Sequence, residues 1–591
     1  MSQKSSPSEL KATLMQFRPH LMRAWAFALI AGVLVLAPTF YMFEVYDRVV
    51  NSRNHVTLLM LTLAVAWVYL VMEVLDWARA ETLREVGESL DGVLGTRIFD
   101  VVFQANLKRL PGGIQPIHDL RTVREFLYSP SLAALMELPL AFIFAGLLFM
   151  LSPWLGWAAV AGGLVQALLA RLNERGAQSL LSEANQAAMG AQQYADQALR
   201  GTLVVEAMGM QDNVRKGWMQ QQQRFLGLQA LASHVGAAFQ SAAKFVQTTM
   251  GSLLLGVAAW LLLENQLPGG GGMLIVGSVL GGRMLAPLVQ LIAQWRMVVG
   301  VRDAWSRLET AMSQIPLKPP SMPLPTPTGH LRVDALVAGA PNAKESILKG
   351  LNFALAPGNV MAVVGPSAAG KSTLARALVG LWPASSGSVR LDGVDVATWD
   401  KAELGPFLGY LPQDVELHDG TLAENIARFG NVDPAKLEEA ARSVGLMGFV
   451  AALPQGFDTP VGSQGVLLSA GQRQRVALAR AVYGNPVLVV LDEPNSSLDE
   501  AGDAALAQTI ALLSARGTCF VLMTHRTGVL AVATHMLVLI DGQQQLFGPR
   551  DQVLAAFNQA TQKAAQPKVA EPAKRLVNAD AAVAPAGTAL V

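Results

Sequence analysis

The sequence predicts a helical domain with six membrane spans, followed by an α/β domain built around a phosphate-binding loop. Long apolar stretches crowd the first half of the 591-residue chain, and the second half holds a complete G-x-x-x-x-G-K-[ST] motif. The chain is 52% hydrophobic and only 15% charged, whereas soluble domains average about 25% charged residues. This composition excludes an ordinary soluble protein.

Six apolar stretches are long enough to cross a bilayer, which takes about 17 to 25 residues. They lie near residues 23–43, 56–76, 131–151, 154–170, 245–263 and 273–293. The residues before the first stretch carry cations but no small-residue cleavage site after a short apolar core. We therefore expect no removable signal peptide.

The distribution of Lys and Arg predicts the orientation. Two segments, between spans two and three and between spans four and five, hold most of the Lys and Arg residues of the membrane-spanning half. They are Arg79, Arg84, Arg97, Lys108, Arg109, Arg121, Arg124, Arg171, Arg175, Arg200, Arg215, Lys216 and Arg224. The segments between spans three and four and between spans five and six have no cation. Because positive loops stay inside, we expect the termini and the second domain to be cytoplasmic.

Both cation-rich segments are rich in helix formers and could form arms projecting about 35 to 50 Å from the membrane. Breaks at Pro111-Gly112-Gly113 and around Gly209 predict turns, where short transverse helices would contact the second domain. The alternative is that these segments are simple soluble helical hairpins.

A run of prolines between Pro316 and Pro327 cannot continue a helix and marks the domain boundary. Apolar runs at 360–364, 487–491, 519–523 and 536–540 then alternate with helical patterns, which predicts a mainly parallel sheet. We expect five regions: a cytoplasmic segment 1–20, a transmembrane domain 21–312, a linker 313–329, an ATP-binding domain 330–562 and a disordered tail 563–591.

The phosphate loop predicts binding of a nucleoside triphosphate with Mg²⁺. In the expected site, backbone N–H groups surround the phosphates, Lys371 reaches the β and γ oxygens, and the Ser372 hydroxyl is a magnesium ligand. The motif residues and the first residue after them are Gly365, Pro366, Ser367, Ala368, Ala369, Gly370, Lys371, Ser372 and Thr373.

Two carboxylates follow the apolar run that ends at Leu491. At the end of a buried strand, Asp492 would lie near the magnesium ion and Glu493 beside the γ-phosphate as the base that orients water. The alternative is a pair of solvated acids at a strand end.

These residues resemble the ATP-binding cassette (ABC) family. Leu468, Ser469, Ala470, Gly471 and Gln472 are similar to its LSGGQ signature, and they continue into an Arg-rich helical run. The resemblance implies an ABC exporter that hydrolyses ATP.

The same resemblance assigns roles to three more residues. It implies that Gln413 is a Q-loop residue and magnesium ligand, that Asp499 lies in the D-loop, and that His525 is the switch histidine contacting the γ-phosphate and Glu493.

Two features depart from the family pattern. Ala470 replaces the first signature glycine and adds a methyl group where backbone approaches phosphate. The segment 337–341 offers no aromatic ring to stack on adenine. We expect activity to survive, with the phosphates dominating the affinity.

In this family the signature of one cassette closes over the phosphate loop of another. A chain with one cassette and six spans is therefore expected to dimerise, and two equivalent sites favour a homodimer. A heterodimer remains the alternative.

Longer stretches, including those at 45–50, 282–287 and 409–417, resemble type I secretion exporters of proteases, lipases and surface-layer proteins. The resemblance implies a Gram-negative inner-membrane ATPase that passes an unfolded protein with a C-terminal signal to a periplasmic membrane-fusion adaptor and a TolC-like outer-membrane channel. The expected partners are these, a second copy and membrane lipid, with no nucleic acid.

We expect no N-terminal cysteine peptidase, since few residues precede the first span and the single cysteine, Cys519, lies in an apolar run. Arg283 and Glu137 are charges inside spans, which makes them candidates for the substrate path. The alternative for them is an ion pair within the bundle or snorkelling.

An exporter of lipids or small amphiphiles would share every cassette motif and is the main functional alternative. A membrane receptor that uses nucleotide only as a signal would have lost the acids or the switch histidine, and both are present.

Overall fold

A computed structural model describes residues 9–267, 271–317, 322–341, 343, 345–462, 465–524 and 527–556. The chain divides into two compact units between Leu317 and Lys318, a point within the predicted linker 313–329. The predicted tail 563–591 lies outside the described residues.

The first unit is helical. Its helices are α1 (Glu9–Gln16), α2 (Arg18–Leu34), α3 (Leu36–Glu44), α4 (Val50–Ser52), α5 (His55–Leu107), α6 (Gln115–Leu127), α7 (Pro130–Leu151), α8 (Pro153–Arg200), α9 (Thr202–Ala207), α10 (Gln211–Leu263), α11 (Gly272–Ala293) and α12 (Trp295–Gln314). A π-helical turn, Val45–Val49, joins α3 to α4.

Six segments of the described chain are long and apolar enough to cross a membrane, and each contains one predicted span. The first runs from Arg18 to Ser52, so α2, α3, the π-helical turn and α4 together form a longer span than the sequence indicated. Three spans continue as the predicted helical arms, because α5, α8 and α10 are 53, 48 and 53 residues long.

The two predicted breaks are present. Helix α5 ends at Leu107 before Pro111-Gly112-Gly113, where both glycines have positive φ, and the short α6 follows. Gly209 has φ 62° and lies between the short α9 and the start of α10.

Small residues allow the apolar helices to pack closely. A Cβ on Gly281 in α11 would lie 2.0 Å from Leu254 Cδ1 of α10, and one on Gly162 in α8 would lie 2.3 Å from Met250 Cε. Small interface residues of this kind are typical of helix packing in membranes. The buried core of this region is apolar, with Leu148, Leu155 and Leu254 each 0% exposed.

An ion pair between a buried carboxylate and a half-exposed arginine connects α6 to α12. Arg307 donates two hydrogen bonds to Asp119, from Nε to Oδ2 at 2.9 Å and from Nη2 to Oδ1 at 2.7 Å. The Asp119 side chain is only 2% exposed, and Gln115 donates to the same carboxylate at 3.0 Å. Because the buried Asp119 carboxylate accepts hydrogen bonds from both Gln115 and Arg307, it holds α6 against α12.

The described part of the second unit contains two sheets. The strands are β1 (Leu331–Ala338), β2 (Leu348–Leu355), β3 (Val360–Val364), β4 (Ser386–Leu391), β5 (Val394–Asp395), β6 (Leu408–Leu411), β7 (Leu488–Asp492), β8 (Cys519–Met523), β9 (His535–Ile540) and β10 (Gln543–Pro549). Four strands form an antiparallel sheet in the order β2-β1-β4-β5, and six form a sheet in the order β10-β9-β3-β8-β7-β6.

The larger sheet is parallel from β9 to β6, as the sequence predicts, and only β10 is antiparallel. Its four predicted strands lie within one residue of their expected bounds. The helices of this unit are α13 (Lys371–Leu378), α14 (Lys401–Leu404), α15 (Leu422–Ile426), α16 (Pro434–Ser443), α17 (Met447–Ala451), α18 (Ala470–Val482), α19 (Glu500–Ala515) and α20 (Thr527–Leu530).

The central strands are buried on both faces. Every residue of β7 and β8 is buried, and alternate residues enter two different apolar clusters: Val489 and Leu491 lie in one, Leu488 and Val490 in the other. Continuous apolar strands covered on both sides are typical of parallel sheets. This rigid layer carries the phosphate loop.

We predict that Asp119→Asn destabilises the first unit by about 1 to 3 kcal/mol, because the Arg307 and Gln115 donors lose a charged acceptor that is itself buried. The measurement is the melting temperature of the detergent-purified protein. The matched control is Glu125→Gln on the same helix, which removes the exposed Arg121 pair and is expected to change stability by less than about 1 kcal/mol. Equal effects of the two variants would contradict the prediction.

Candidate nucleotide-binding site

The phosphate loop connects β3 to α13, as the sequence predicts. A Cβ on Gly365 would lie 2.0 Å from the carbonyl oxygen of Leu539, so only glycine fits there. Gly370 has φ 103°, a conformation that favours glycine, and it is the residue before the first turn of α13. The loop therefore brings backbone N–H groups and a helix N-terminus together, the arrangement that binds phosphate.

Lys371 is held across this loop. Its Nζ donates to the carbonyl oxygen of Gly365 at 2.8 Å and to that of Pro366 at 3.0 Å, and the residue is only 7% exposed. Burial lowers the pKa of Lys371, while the nearby Glu493 and Asp492 oppose that change. The ammonium group thus lies between the loop and the two acids.

The register of the sheet places the acids at the same edge. Asp492 is opposite Met523 in β8, and Met523 is opposite Val363 in β3. The next residue, Glu493, donates its backbone N–H to the carbonyl oxygen of Met523 at 2.9 Å. Because these strands are parallel, their carboxyl ends meet beside the phosphate loop.

Asp492 is 2% exposed and accepts a hydrogen bond from the side chain of Ser372. Burial raises the pKa of Asp492, the Ser372 hydrogen bond opposes this, and the charge of Glu493 adds to it. A buried carboxylate bonded to a hydroxyl is a suitable pair of oxygen ligands for Mg²⁺, which keeps few protein ligands alongside phosphate and water. No group of three or more His, Cys, Asp or Glu side chains that could hold a metal occurs in the described part of the chain.

Glu493 lies in the left-handed region with φ 51°, which is uncommon for a residue other than glycine. Gln413, which follows β6, donates from Nε2 to Glu493 Oε2 at 3.3 Å. The structure therefore brings together two residues that the sequence assigned to the site from separate motifs. His525, the predicted switch histidine, lies outside the described residues, although the strand before it, β8, ends at this same edge.

The predicted signature forms the N-terminus of α18. Ser469 caps the helix: its hydroxyl accepts from the backbone N–H of Gln472 at 3.3 Å, and the Gln472 side chain accepts from the Ser469 N–H at 2.8 Å. A Cβ on Gly471 would lie 2.9 Å from the Ser497 carbonyl oxygen, whereas Ala470 is exposed and its methyl group is accommodated. Leu468 is buried and anchors the segment in the core.

Asp499 caps α19 by accepting from the backbone N–H of Gly502 at 2.9 Å, and Arg475 of α18 donates to the same carboxylate at 2.5 Å. The backbone hydrogen bond from Gly502 and the Arg475 hydrogen bond lower the pKa of Asp499. In the described chain its contacts hold two helices together, and its role beside nucleotide stays a prediction.

Gln474 is a functional candidate that the sequence reasoning did not single out. It is 3% exposed, and its Nε2 donates to the backbone carbonyl oxygens of Glu493, at 3.2 Å, and Pro494, at 2.6 Å. Ser496 donates to its Oε1 at 3.2 Å. The signal available in the sequence was a glutamine two residues after the signature, within the helical run that follows it.

Arg376 and Tyr410 are also close to Asp492. Arg376 lies one turn after Ser372 on α13, its guanidinium is 4.7 Å from the ring centroid of Trp382, and it is hydrogen-bonded to Tyr410. Burial raises the pKa of Tyr410, and Asp492 adds to that rise. Asp492 therefore has the Arg376 charge and the Tyr410 side chain as neighbours in addition to Ser372.

The segment expected to face adenine, 337–341, is the end of β1 and the turn after it. Gly339 packs against the backbone, because a Cβ there would lie 2.6 Å from the Glu345 carbonyl oxygen. The segment contains no aromatic residue.

Comparison with known proteins gives matches to two family models. Residues 348–496 match the model of the ABC transporter, and residues 22–280 match that of the ABC transporter transmembrane region.

Two relatives and one solved structure show how far the similarity extends along the chain. The type I secretion system ATP-binding protein PrsD of Rhizobium meliloti is 38% identical, over 89% of this chain and 90% of its own length. The Toxin RTX-I translocation ATP-binding protein of Actinobacillus pleuropneumoniae is 26% identical, over 89% of this chain and 74% of its own length. A bacterial Atm1-family ABC exporter solved with ATP bound has a TM-score of 0.81 at 22% identity, covering 94% of this chain and 99% of that one.

We predict that Gln474→Ala lowers the kcat of ATP hydrolysis about tenfold with little change in KM, because the Glu493 backbone loses its side-chain support while the phosphate loop is untouched. Steady-state ATPase assays measure both constants. The matched control is Gln508→Ala at an exposed position of α19, for which we expect wild-type values. A Gln474→Ala enzyme with an unchanged kcat would contradict the positioning role.

Proposed function

This chain belongs to the ABC transporter family, and we propose that it is the ATP-driven export subunit of a type I secretion system, moving a protein out of the cytoplasm. The observation that carries the proposal is the 38% identity with PrsD across 89% of the chain. Further support comes from the translocation proteins for RTX-I toxin and leukotoxin, each 26% identical across 89% of this chain. The names of these relatives all refer to secretion or to translocation of a toxin.

The residues present fit ATP and Mg²⁺. The loop from Gly365 to Gly370 has the backbone shape that cradles phosphate, and Lys371 would exchange its two carbonyl partners for phosphate oxygens. Ser372 and Asp492, already bonded to each other, would hold the metal together with the predicted ligand Gln413. When bound, Mg²⁺ supplies positive charge that stabilises the phosphate groups during transfer.

Glu493 is the proposed general base. Its carboxylate has a fixed position, because Gln413 donates to one oxygen and its backbone is held by Met523 and Gln474. From there it would accept the proton of the attacking water, with His525 as the predicted second contact. Because its neighbours already hold Glu493 in position, its side chain loses little conformational entropy when it orients the attacking water.

The site requires a second copy of the chain. No hydrogen bond joins the signature segment to the phosphate loop among the described residues of one chain. The exposed N-terminus of α18, with Ser469 and Ala470 both exposed, is therefore available to another phosphate loop. A homodimer would contain two such composite sites.

The transport role implies further partners and a location. We propose an inner-membrane position with both termini cytoplasmic, supported by the six apolar segments and by the cations between spans two and three and between four and five. The cargo would be an unfolded protein with a C-terminal signal. A periplasmic membrane-fusion adaptor and a TolC-like outer-membrane channel would then receive it.

The composite site is tested by mixing two inactive variants, Lys371→Ala and Gly471→Glu. Each homodimer is expected to be inactive, since one lacks the phosphate contact and the other places a bulky charge against the Ser497 carbonyl. When the two variants pair at random, about half of the dimers are mixed, and each mixed dimer has one intact site out of two. The mixture should therefore regain about a quarter of the wild-type ATPase rate. A mixture as inactive as either variant would show that both residues act within one chain.

The transport role is tested by the ATPase rate in nanodiscs, with and without C-terminal fragments of candidate secreted proteins encoded nearby. We expect a saturable response to one fragment in the wild-type protein. Glu493→Gln should bind ATP and show less than about one hundredth of the turnover, because it lacks the base. A rate that responds to lipids or amphiphiles but to no fragment would instead support the small-molecule exporter, and undiminished hydrolysis by Glu493→Gln would remove that residue from its role.

A further inference from the structure

The first unit contains a cavity of about 200 Å³ where four spans meet. It is formed by α2, α5, α7 and α11. The residues that line it are Ala28, Ala31, Gly32, Val35, Met72, Asp76, Glu137, Leu140, Phe144, Arg283, Ala286 and Pro287. We refer to it as the Arg283 cavity.

Three charged residues line this cavity, but only two of them are paired. Arg79 binds both carboxylates, with Nη2 3.3 Å from Asp76 Oδ1 and Nη1 3.1 Å from Glu137 Oε1, and its own side chain is only 14% exposed. Glu137 is therefore held in an ion pair. Within the described part of the chain Arg283 has neither an ion pair nor a side-chain hydrogen bond, and it is exposed. Its five N–H donors are available to a ligand.

An unpaired arginine at this position carries an energetic cost. Arg283 lies in the middle of α11, one of the six segments apolar enough to cross the membrane. Charged side chains in such segments are expensive, and they usually face water-filled cavities and mark the path of a substrate or ion. The free-energy cost of placing the Arg283 charge in this segment favours a binding role for that residue.

The backbone beside Arg283 adds an acceptor. Pro287 lies inside α11 and has no N–H, so the carbonyl oxygen of Arg283, four residues earlier, lacks its helical donor. The neighbouring carbonyl oxygen of Gly282 accepts from Gln247 Nε2 at 3.0 Å, which fixes this turn against α10. The cavity wall thus offers a guanidinium donor beside a carbonyl acceptor, the two groups needed to contact a carboxylate and a neighbouring peptide N–H.

The size and charge of the cavity narrow the choice of ligand. A volume of about 200 Å³ is below the usual range for small-molecule pockets, about 300 to 1,000 Å³, and suits one side chain of an extended chain better than a drug or a lipid head group. The two carboxylates that line the cavity, Asp76 and Glu137, share the single positive charge of Arg79. Their remaining negative charge repels another anion, so binding of a further carboxylate at Arg283 should be weak. A conducting pathway needs binding that is weak enough to release its cargo.

We propose that the Arg283 cavity binds acidic side chains of the polypeptide in transit, with Arg283 as the carboxylate ligand. This inference rests on the proposed function, since it names the chemistry that the export path recognises. The contact is a charge-assisted hydrogen bond formed and released as the chain passes.

The test uses two short synthetic peptides of equal length, one containing Glu and the other Gln at the same positions, in a Gly/Ser background. Fluorescence anisotropy measures their binding to the full-length protein in nanodiscs. The wild-type protein should bind the Glu peptide about tenfold more tightly. Arg283→Gln should abolish this preference, and Arg283→Lys, which keeps the charge and guards against a folding defect, should retain most of it.

The matched control is Arg296→Gln, which removes an exposed arginine of α12 outside the cavity and should leave the preference unchanged. Equal binding of the two peptides by the wild type, or a preference that survives in Arg283→Gln, would overturn the inference. So would a result in which Arg283→Gln alters only the retention of anionic lipid. Because this assay needs neither ATP nor a natural cargo, its failure is distinct from an absent response to cargo fragments in the ATPase experiment.

Discussion

The register of the parallel sheet is the constraint on which the nucleotide site depends. Val363, Met523 and Asp492 lie opposite one another on β3, β8 and β7, so the phosphate loop, the residues after β8 and the two acids all begin at the same edge. A shift of one residue in the register of β7 would place Asp492 no longer opposite Met523, and it would turn the Asp492 side chain to the other face of the sheet. The burial of these strands on both sides makes such a shift costly, because every apolar side chain would exchange clusters.

In the membrane unit, close packing and charge serve different purposes. Glycines allow α8, α10 and α11 to approach closely, and most of their contact surface is apolar. Two of the charged residues, Glu137 and Arg283, lie within four residues of a proline inside their own helix, Pro139 in α7 and Pro287 in α11. Proline has no N–H, so each leaves one helical carbonyl oxygen without its donor, and charged side chains within spans usually face water-filled cavities.

Much of the architecture could be predicted because it depends on local patterns. The spans follow from apolar length, the breaks near Gly112 and Gly209 from turn chemistry, and the phosphate loop from a motif with fixed spacing. The sequence could not give the partner of a side chain distant along the chain. Gln474, Arg376 and the shared use of Arg79 by Asp76 and Glu137 depend on contacts between separate elements, and only the folded chain brings these residues together. The antiparallel sheet β2-β1-β4-β5 was not predicted. Its β1–β2 and β4–β5 pairs are neighbours along the chain, whereas the β1–β4 pairing that joins them connects strands far apart in sequence.

The reciprocal cap at Ser469 and Gln472 has a kinetic consequence. The backbone N–H groups of Ser469 and Gln472 are already hydrogen-bonded within one chain, so the signature backbone is held in place before any second copy arrives. A surface that is rigid in the free protein loses little conformational entropy when it closes over a phosphate loop. More of the contact energy then remains for affinity, and the speed of closure depends on how the two copies approach each other rather than on refolding of the signature.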